Sequence, residues 1–311
     1  MEKTKNSETN ENIFYYHNNQ KMENLIMGNH PYSVIESEIE DFFKENNYHY
    51  INYVKKLESL ISKIFKCLST ETNPVYVNLP GLSDDEIKFL LKEHSGFTNE
   101  AIHMFLDANI RMSWKEVREE IERNMRDELG EFTIKNVPHL ELMRAGYRDE
   151  MGIETENLKY SEPTVMFLNK MRAIFKKADN AFTCGALLAL EATATAEFKV
   201  IEKLLRTLRE RQGSKIASNS LTGRYILAHV NEEGSGHNPE DGHYDGFRIA
   251  IEKHIHRQNR NSFLRGFMAV CIALNNWWEH MINEIYANKL DNFISNYNQS
   301  VIDENLAETA I

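Results

Sequence analysis

His229 and Glu233 stand four residues apart in the run Tyr225-Ile-Leu-Ala-His229-Val-Asn-Glu-Glu233, and a second histidine follows in Gly242-His243-Tyr244. Residues four apart share one face of a helix, so this spacing predicts an imidazole and a carboxylate pointing the same way. Glu232 lacks that spacing from His229. A carboxylate and two imidazoles on one side of a bundle make half of a site for O₂-activating metal ions. The other half is available upstream, as isolated acids and histidines on further helical segments.

Glu191 lies in Ala186-Leu-Leu-Ala-Leu190-Glu191-Ala-Thr-Ala-Thr-Ala196, among small and apolar residues. Such a helix is predicted to be interior, where an unpaired charge is costly and a metal cation is a good partner. The plainer alternative is a buried Glu paired with Arg or His. Glu128 closes Asn124-Met-Arg-Asp-Glu128-Leu-Gly130, and His139 opens Pro138-His139-Leu-Glu-Leu. Their separation of eleven residues is about three helical turns. They share a face if the two segments stay roughly coaxial across the break; otherwise they are a surface acid and a helix-start histidine.

Collected, Glu128, His139, Glu191, His229, Glu233 and His243 supply three carboxylates and three imidazoles. Hard oxygen and intermediate nitrogen donors suit two iron ions, or iron with manganese. Helical bundles build such sites from inward-facing residues on several helices. The pattern is not the doubled Glu-x-x-His of ferritin-like proteins. His237, Glu240 and Asp241, in the Gly/Asn/Pro-rich stretch 234–242, are the alternatives to Glu233 or His243. For His237 a solvated loop position is the simpler assignment.

The elements that must hold these residues read as helices throughout, giving an all-α class. Helical periodicity covers Ser33 to Leu68, and Thr70 to Gly81 reads as a connection. Ser83 with Glu86 three residues on is a capping box, opening a helix to about His94. Thr98-Asn99-Glu100 opens the next and Ser113 caps another, which ends at Leu129-Gly130. Further helices are predicted over His139–Arg148, Pro163–Lys177, Phe182–Arg211, Leu221–Glu233, His243–His256 and Ser262–Asp291. Val165, Leu168, Met171 and Phe175 are the expected inward residues of the helix beginning at Pro163. His254 and His256 read as an exposed pair. Residues 1–30 are rich in Asn, Glu and Lys and read as a flexible segment, 31–80 as a helical extension, and 81–311 as the metal-binding domain.

Bulk properties narrow the function classes. The formal charge of −11 argues against a sequence-independent grip on nucleic acid and against docking on anionic membrane. Residues 1–12 are polar and show no signal peptide, and no run approaches the ~20 apolar residues of a membrane span. Cys67, Cys184 and Cys271 form no CxxC, which fits a reducing cytoplasm and gives no zinc motif.

The ordered set resembles the haem-oxygenase-like di-iron oxidases and oxygenases, the group that includes the Chlamydia protein associating with death domains. Ala101-Ile-His-Met-Phe-Leu106 through Asp127-Glu128-Leu-Gly130 to His139 resembles that family's first ligand segment, an acid-Glu-Leu-Gly stretch with a histidine about ten residues later. Leu187 to Glu191 is similar to its second segment, and Tyr225 to Glu233 with His243 to its third. Trp277-Trp278 is similar to the aromatic close of the last helix. The likeness spans roughly residues 85–290. It departs where the second histidine, usually three residues after the acid, follows by ten.

The resemblance implies a haem-oxygenase-like helical bundle with an N-terminal helical extension. It also implies the six iron ligands named above, O₂ as co-substrate, and oxidation of an amino-acid-like or fatty-acid-like small molecule. Outcomes known in such families include N-oxygenation, desaturation, C–C cleavage and self-sacrificing conversion of a side chain. Phe182, Phe247, Met268 and Trp277 are the expected pocket regions, although such residues are more often ordinary core. Tyr225 and Tyr244, beside the histidines, are candidate proton or electron donors, or packed tyrosines. Two other readings stand beside the oxidase. One is a metal-free thiaminase-type enzyme with a nucleophilic cysteine; the other is a non-enzymatic helical interaction protein. A homodimer is an open option.

Overall fold

The computed structural model describes residues 29–45, 49–131, 137–230 and 239–309. They form eleven α-helices, and no strand occurs among the described residues. In chain order these are α1 (Asn29–Glu45), α2 (Tyr50–Ile64), α3 (Pro74–Asn78), α4 (Asp84–Arg111), α5 (Lys115–Glu128) and α6 (His139–Met151). They continue with α7 (Glu162–Phe175), α8 (Asn180–Arg211), α9 (Leu221–His229), α10 (Pro239–Glu252) and α11 (Arg260–Thr309). The expected all-α bundle is therefore present.

α8 and α11 form the spine. Asp179 caps α8 by accepting from Phe182 N at 3.1 Å. The two helices touch backbone to backbone because two glycines meet there. A Cβ on Gly185 would lie 1.9 Å from the Phe263 carbonyl oxygen, and one on Gly266 would lie 1.8 Å from that of Phe182. α4, α7 and α10 pack around this pair, α5 lies against α4 and α10, and α6 pairs with α9. The extension joins the same hydrophobic core: Ile35, Tyr53 and Leu57 are buried in it. Tyr53 Oη donates to the Arg260 carbonyl at 3.1 Å, and Cys67 N donates to Asn275 Oδ1 at 3.2 Å.

Several element boundaries differ from those the sequence suggests. Both arms of the predicted capping box form, with Glu86 N donating to Ser83 Oγ at 3.3 Å and Ser83 N to Glu86 Oε2 at 2.7 Å. The helix it starts does not stop near His94, however. α4 runs unbroken to Arg111, because Ser95-Gly96 is covered by the Tyr160 ring and Thr98 opens nothing new. Ser113 is not a cap: Trp114 holds that position and makes no side-chain cap. Helix begins at Asn29, inside the stretch read as flexible, and a short helix interrupts the connection 70–81. α10 begins at Pro239 rather than His243, and α11 continues past Asp291. Val165 is exposed, with Phe167 and Ile174 taking the inward positions. His254 is half-buried, stacked on Trp114 at 4.6 Å.

Candidate metal centre

Gly130 ends α5 with a left-handed φ of 86°, and a side chain there would overlap the Val137 carbonyl carbon at 2.5 Å. A glycine is what lets the chain return this closely. Glu128, the last residue of α5, thereby meets His139, the first of α6, with Oε2 3.4 Å from Nδ1. α6 and α9 are clamped antiparallel at their other ends. Glu150 accepts from Leu221 N at 2.8 Å and Thr222 N at 3.0 Å, so a carboxylate from α6 caps the start of α9. Ser220 caps Gly223 N at 3.1 Å. Running back from this clamp, Tyr147 packs against Tyr225, and the His139 and His229 rings meet edge to face at 4.7 Å.

One donor atom from each of Glu128, His139 and His229 can be chosen so that all three lie within 4.8 Å of one another. Two ligands of one first-row ion, each bound at about 2.1 Å, stand no more than ~4.2 Å apart. The trio is thus nearly at coordination spacing, and both histidines are buried. A second pair lies on α8 and α10, where His243 Nδ1 is 3.8 Å from Glu191 Oε2. The other ring nitrogen, His243 Nε2, is 2.7 Å from Asp127 Oδ2. A carboxylate bonded to the far nitrogen of an imidazole fixes ring orientation and tautomer. Burial works against the ionised form of Asp127, but the hydrogen bond and charge of His243, with His139 and His229 beyond, outweigh it and hold the carboxyl below its usual range.

Five of the six residues singled out by spacing therefore converge: Glu128, His139, Glu191, His229 and His243. Glu128, Glu191, His229 and His243 line one cavity of about 70 Å³. The four-residue argument for Glu233 does not hold. His229 is the last helical residue, and Val230 is already extended at φ −132°, ψ 125°, its N–H closing the final turn on Ile226. Glu233 and His237 lie outside the described residues, as do the side chains of Glu240 and Asp241.

The cavity walls also differ from expectation. Phe97, Ala101, Phe105, Leu190, Ala194 and Phe198 supply the apolar surface. Phe182, Phe247, Met268 and Trp277 are buried in the core instead. Phe198 lies flat on His229, with ring centroids 3.6 Å apart and planes within 7°, and holds that imidazole in place. Of the two tyrosines, Tyr225 is buried with its ring 5.1 Å from His229, and Tyr244 is half-buried. Sequence reading passed over Asp127 because it stood beside the more prominent Glu128. It also passed over His94 and Glu197, a buried pair 3.1 Å apart that lines the same cavity. The signal for Glu197 was present, since it ends the same small-residue run that marked Glu191.

The fold and the cluster define an all-α bundle with buried acids and imidazoles converging on one cavity. A family model described as a domain of unknown function with a solved structure, DUF3865, matches residues 51–284, and the chain belongs to that family. The fold is similar to a CADD-like protein of unknown function from Nostoc punctiforme PCC 73102, seen in two crystal structures. One matches at 24% identity over 76% of this chain and 97% of that one, with a TM-score of 0.67. The other matches at 23% identity over 77% and 96%, with a TM-score of 0.64. A TenA homolog from Pseudomonas syringae pv. tomato str. DC3000 is similar at 11% identity, covering 73% of this chain and 92% of that one, with a TM-score of 0.53. At these identities the likeness is one of fold. No curated protein matches the chain.

Proposed function

We propose that this chain is a non-haem di-iron oxidase or oxygenase that uses O₂ to oxidise a small molecule. The observation that carries the reading is the grouping of half-buried Glu128 with buried His139 and His229, with Glu191 and His243 on the same cavity. Buried carboxylates favour cationic partners, and metal ions would add to the charge that Arg123 already presents to Asp127 and Glu191. The donor set, oxygen and imidazole without thiolate, suits iron or an iron–manganese pair. Two ions so held would supply the electrons and open coordination positions that O₂ chemistry needs. Glu128, His139 and His229 would hold one, and Glu191 and His243 the other. Phe97, Phe105 and Phe198 keep the cavity dry, and Asp127 and Phe198 fix the two imidazoles they touch.

Anaerobic loading with ferrous iron, followed by iron counting and O₂-uptake measurement, tests this. About two ions per chain and iron-dependent O₂ uptake are expected. A chain that retains no iron ends the proposal. Asp127→Asn should weaken iron binding by roughly 10–100-fold, because the amide no longer anchors His243 with a charge. Chelator competition reads this directly, and unchanged affinity would show that His243 needs no such anchor.

A cysteine-dependent hydrolase on the same fold lacks its nucleophile. Cys67, Cys184 and Cys271 are all buried, and no cysteine lines the cavity among the described residues. Burial, with Glu279 nearby, pushes the Cys67 thiol up to about 12, and burial raises those of Cys184 and Cys271 as well. A thiol whose pKa is raised stays protonated and unreactive at neutral pH. Native protein at pH 8 is therefore expected to react slowly with a disulfide reagent, and denatured protein to release all three thiols at once. A single fast-reacting native thiol would reopen the hydrolase reading.

A further inference from the structure

We infer that Glu197, held by His94, is the substrate anchor of the cavity and takes a primary ammonium group, so that the molecule oxidised is a small aliphatic amine. This rests on the proposed oxidase and narrows its substrate class. Leu190, Glu191, Ala194, Glu197 and Phe198 form one stripe of α8 along the cavity wall. Glu197 lies six residues beyond Glu191, which is ~9 Å along the helix axis. The two carboxylates thus mark separate points of one lining, one among the candidate metal ligands and one nearly two helical turns further along α8.

The far end is built rather than incidental. Glu197 is 7% exposed and His94 1% exposed, and His94 Nε2 lies 3.1 Å from Glu197 Oε1. His94 is wedged among aromatic rings: Phe97 and Phe198 meet it edge-on, and Trp277 and Trp278 lie roughly parallel to it. It cannot swing away, and it keeps Glu197 in place. His94 Nδ1 is buried with no hydrogen-bond partner among the described residues.

Charge decides what the pair accepts. Three carboxylates line the cavity, with no Lys or Arg among the described residues. Glu128 and Glu191 are assigned to the metals, which leaves Glu197, with the His94 imidazole as its hydrogen-bond partner, to meet a substrate. A substrate carboxylate there would face a like charge in a poorly hydrated space. An ammonium brings three donors and a positive charge, matching a carboxylate whose described side-chain partner is a single imidazole nitrogen. The Phe97 and Phe198 rings favour a cation further. This excludes the fatty-acid-like half of the substrate range and keeps the amino half.

The probes are n-butylamine, n-butanol and n-butanoate, titrated calorimetrically into ferrous-loaded protein under argon, with iron counted in each sample. The amine is expected to bind roughly tenfold to a hundredfold tighter than the alcohol, with no binding of the butanoate. Glu197→Gln should lose that preference while keeping its iron and its melting temperature. Glu197→Asp, which keeps the charge, should retain part of it and covers the case in which the Gln variant folds poorly. Equal binding of amine and alcohol, an amine preference untouched in Glu197→Gln, or tighter binding of butanoate would overturn the anchor. If wild-type protein holds no iron, the oxidase reading fails by itself, and the amine preference of wild type over Glu197→Gln still decides the anchor.

Discussion

Replacing Glu191 by alanine is expected to lower bound iron from the proposed two ions per chain to one or fewer, and to move stability in opposite directions with and without metal. Glu191 is 5% exposed and lies 3.8 Å from His243 Nδ1. With iron present its charge is matched, and losing it leaves His243 as the remaining described donor on that side. Without iron, Glu191 is a buried carboxylate that shares its cavity with Glu128, and Arg123, whose charge reaches it, stays paired with Glu120 when it is removed. Removing one of several crowded like charges relieves repulsion and desolvation. The metal-free variant should therefore melt no lower than metal-free wild type, while the iron-loaded variant melts below iron-loaded wild type. Alanine continues the Ala-Thr-Ala-Thr-Ala helix without a propensity penalty, so a folding defect does not confuse the comparison. Iron analysis and paired thermal melts read both signs. Full iron content in the variant would remove Glu191 from the site.

The second large effect concerns the spine. Gly185→Ala should destabilise the protein by about 3 kcal/mol or more, at or above the usual cost of overpacking. The added methyl carbon would sit 1.9 Å from the Phe263 carbonyl oxygen, with Phe263 C at 2.8 Å and Phe267 N at 2.9 Å. All three are backbone atoms of α11, so no side chain can rotate aside, and the helices must separate. Separation costs packing along the whole α8–α11 seam, which buries Leu187, Leu188, Phe267 and Val270. Glu191 sits on the same helix, so iron affinity should fall as well. Gly81→Ala is the control. Nothing lies within 4 Å of a Cβ there, and the change should stay within about 0.5 kcal/mol. Urea unfolding midpoints of the two variants make the test; equal midpoints would mean that the seam gives way easily.

Much of this architecture can be read locally. The capping box at Ser83–Glu86, the small-residue helix around Glu191 and the glycine after Glu128 each act within a turn or two. Their sequence spacing carries their structural meaning, and two of them mark Glu128 and Glu191 as candidate acids. Errors arose where local signals mislead or compete. Thr98-Asn99-Glu100 resembles a helix start, yet tertiary cover over Gly96 lets α4 pass through. The run after His229 keeps helical spacing, yet Val230 has left the helix, so spacing alone no longer carries the argument for Glu233, which lies outside the described residues.

The all-α class, the acidic surface balance and the presence of buried acids and imidazoles on separate helices were determined by the sequence alone, because periodicity and composition need no partner. Which of those groups meet was decided by tertiary packing. Asp127 and His243 are 116 residues apart, and His94 and Glu197 are 103 apart. No local pattern encodes such pairs: they depend on how α4, α5 and α10 lean on α8, which two glycines at its crossing with α11 seat in the core.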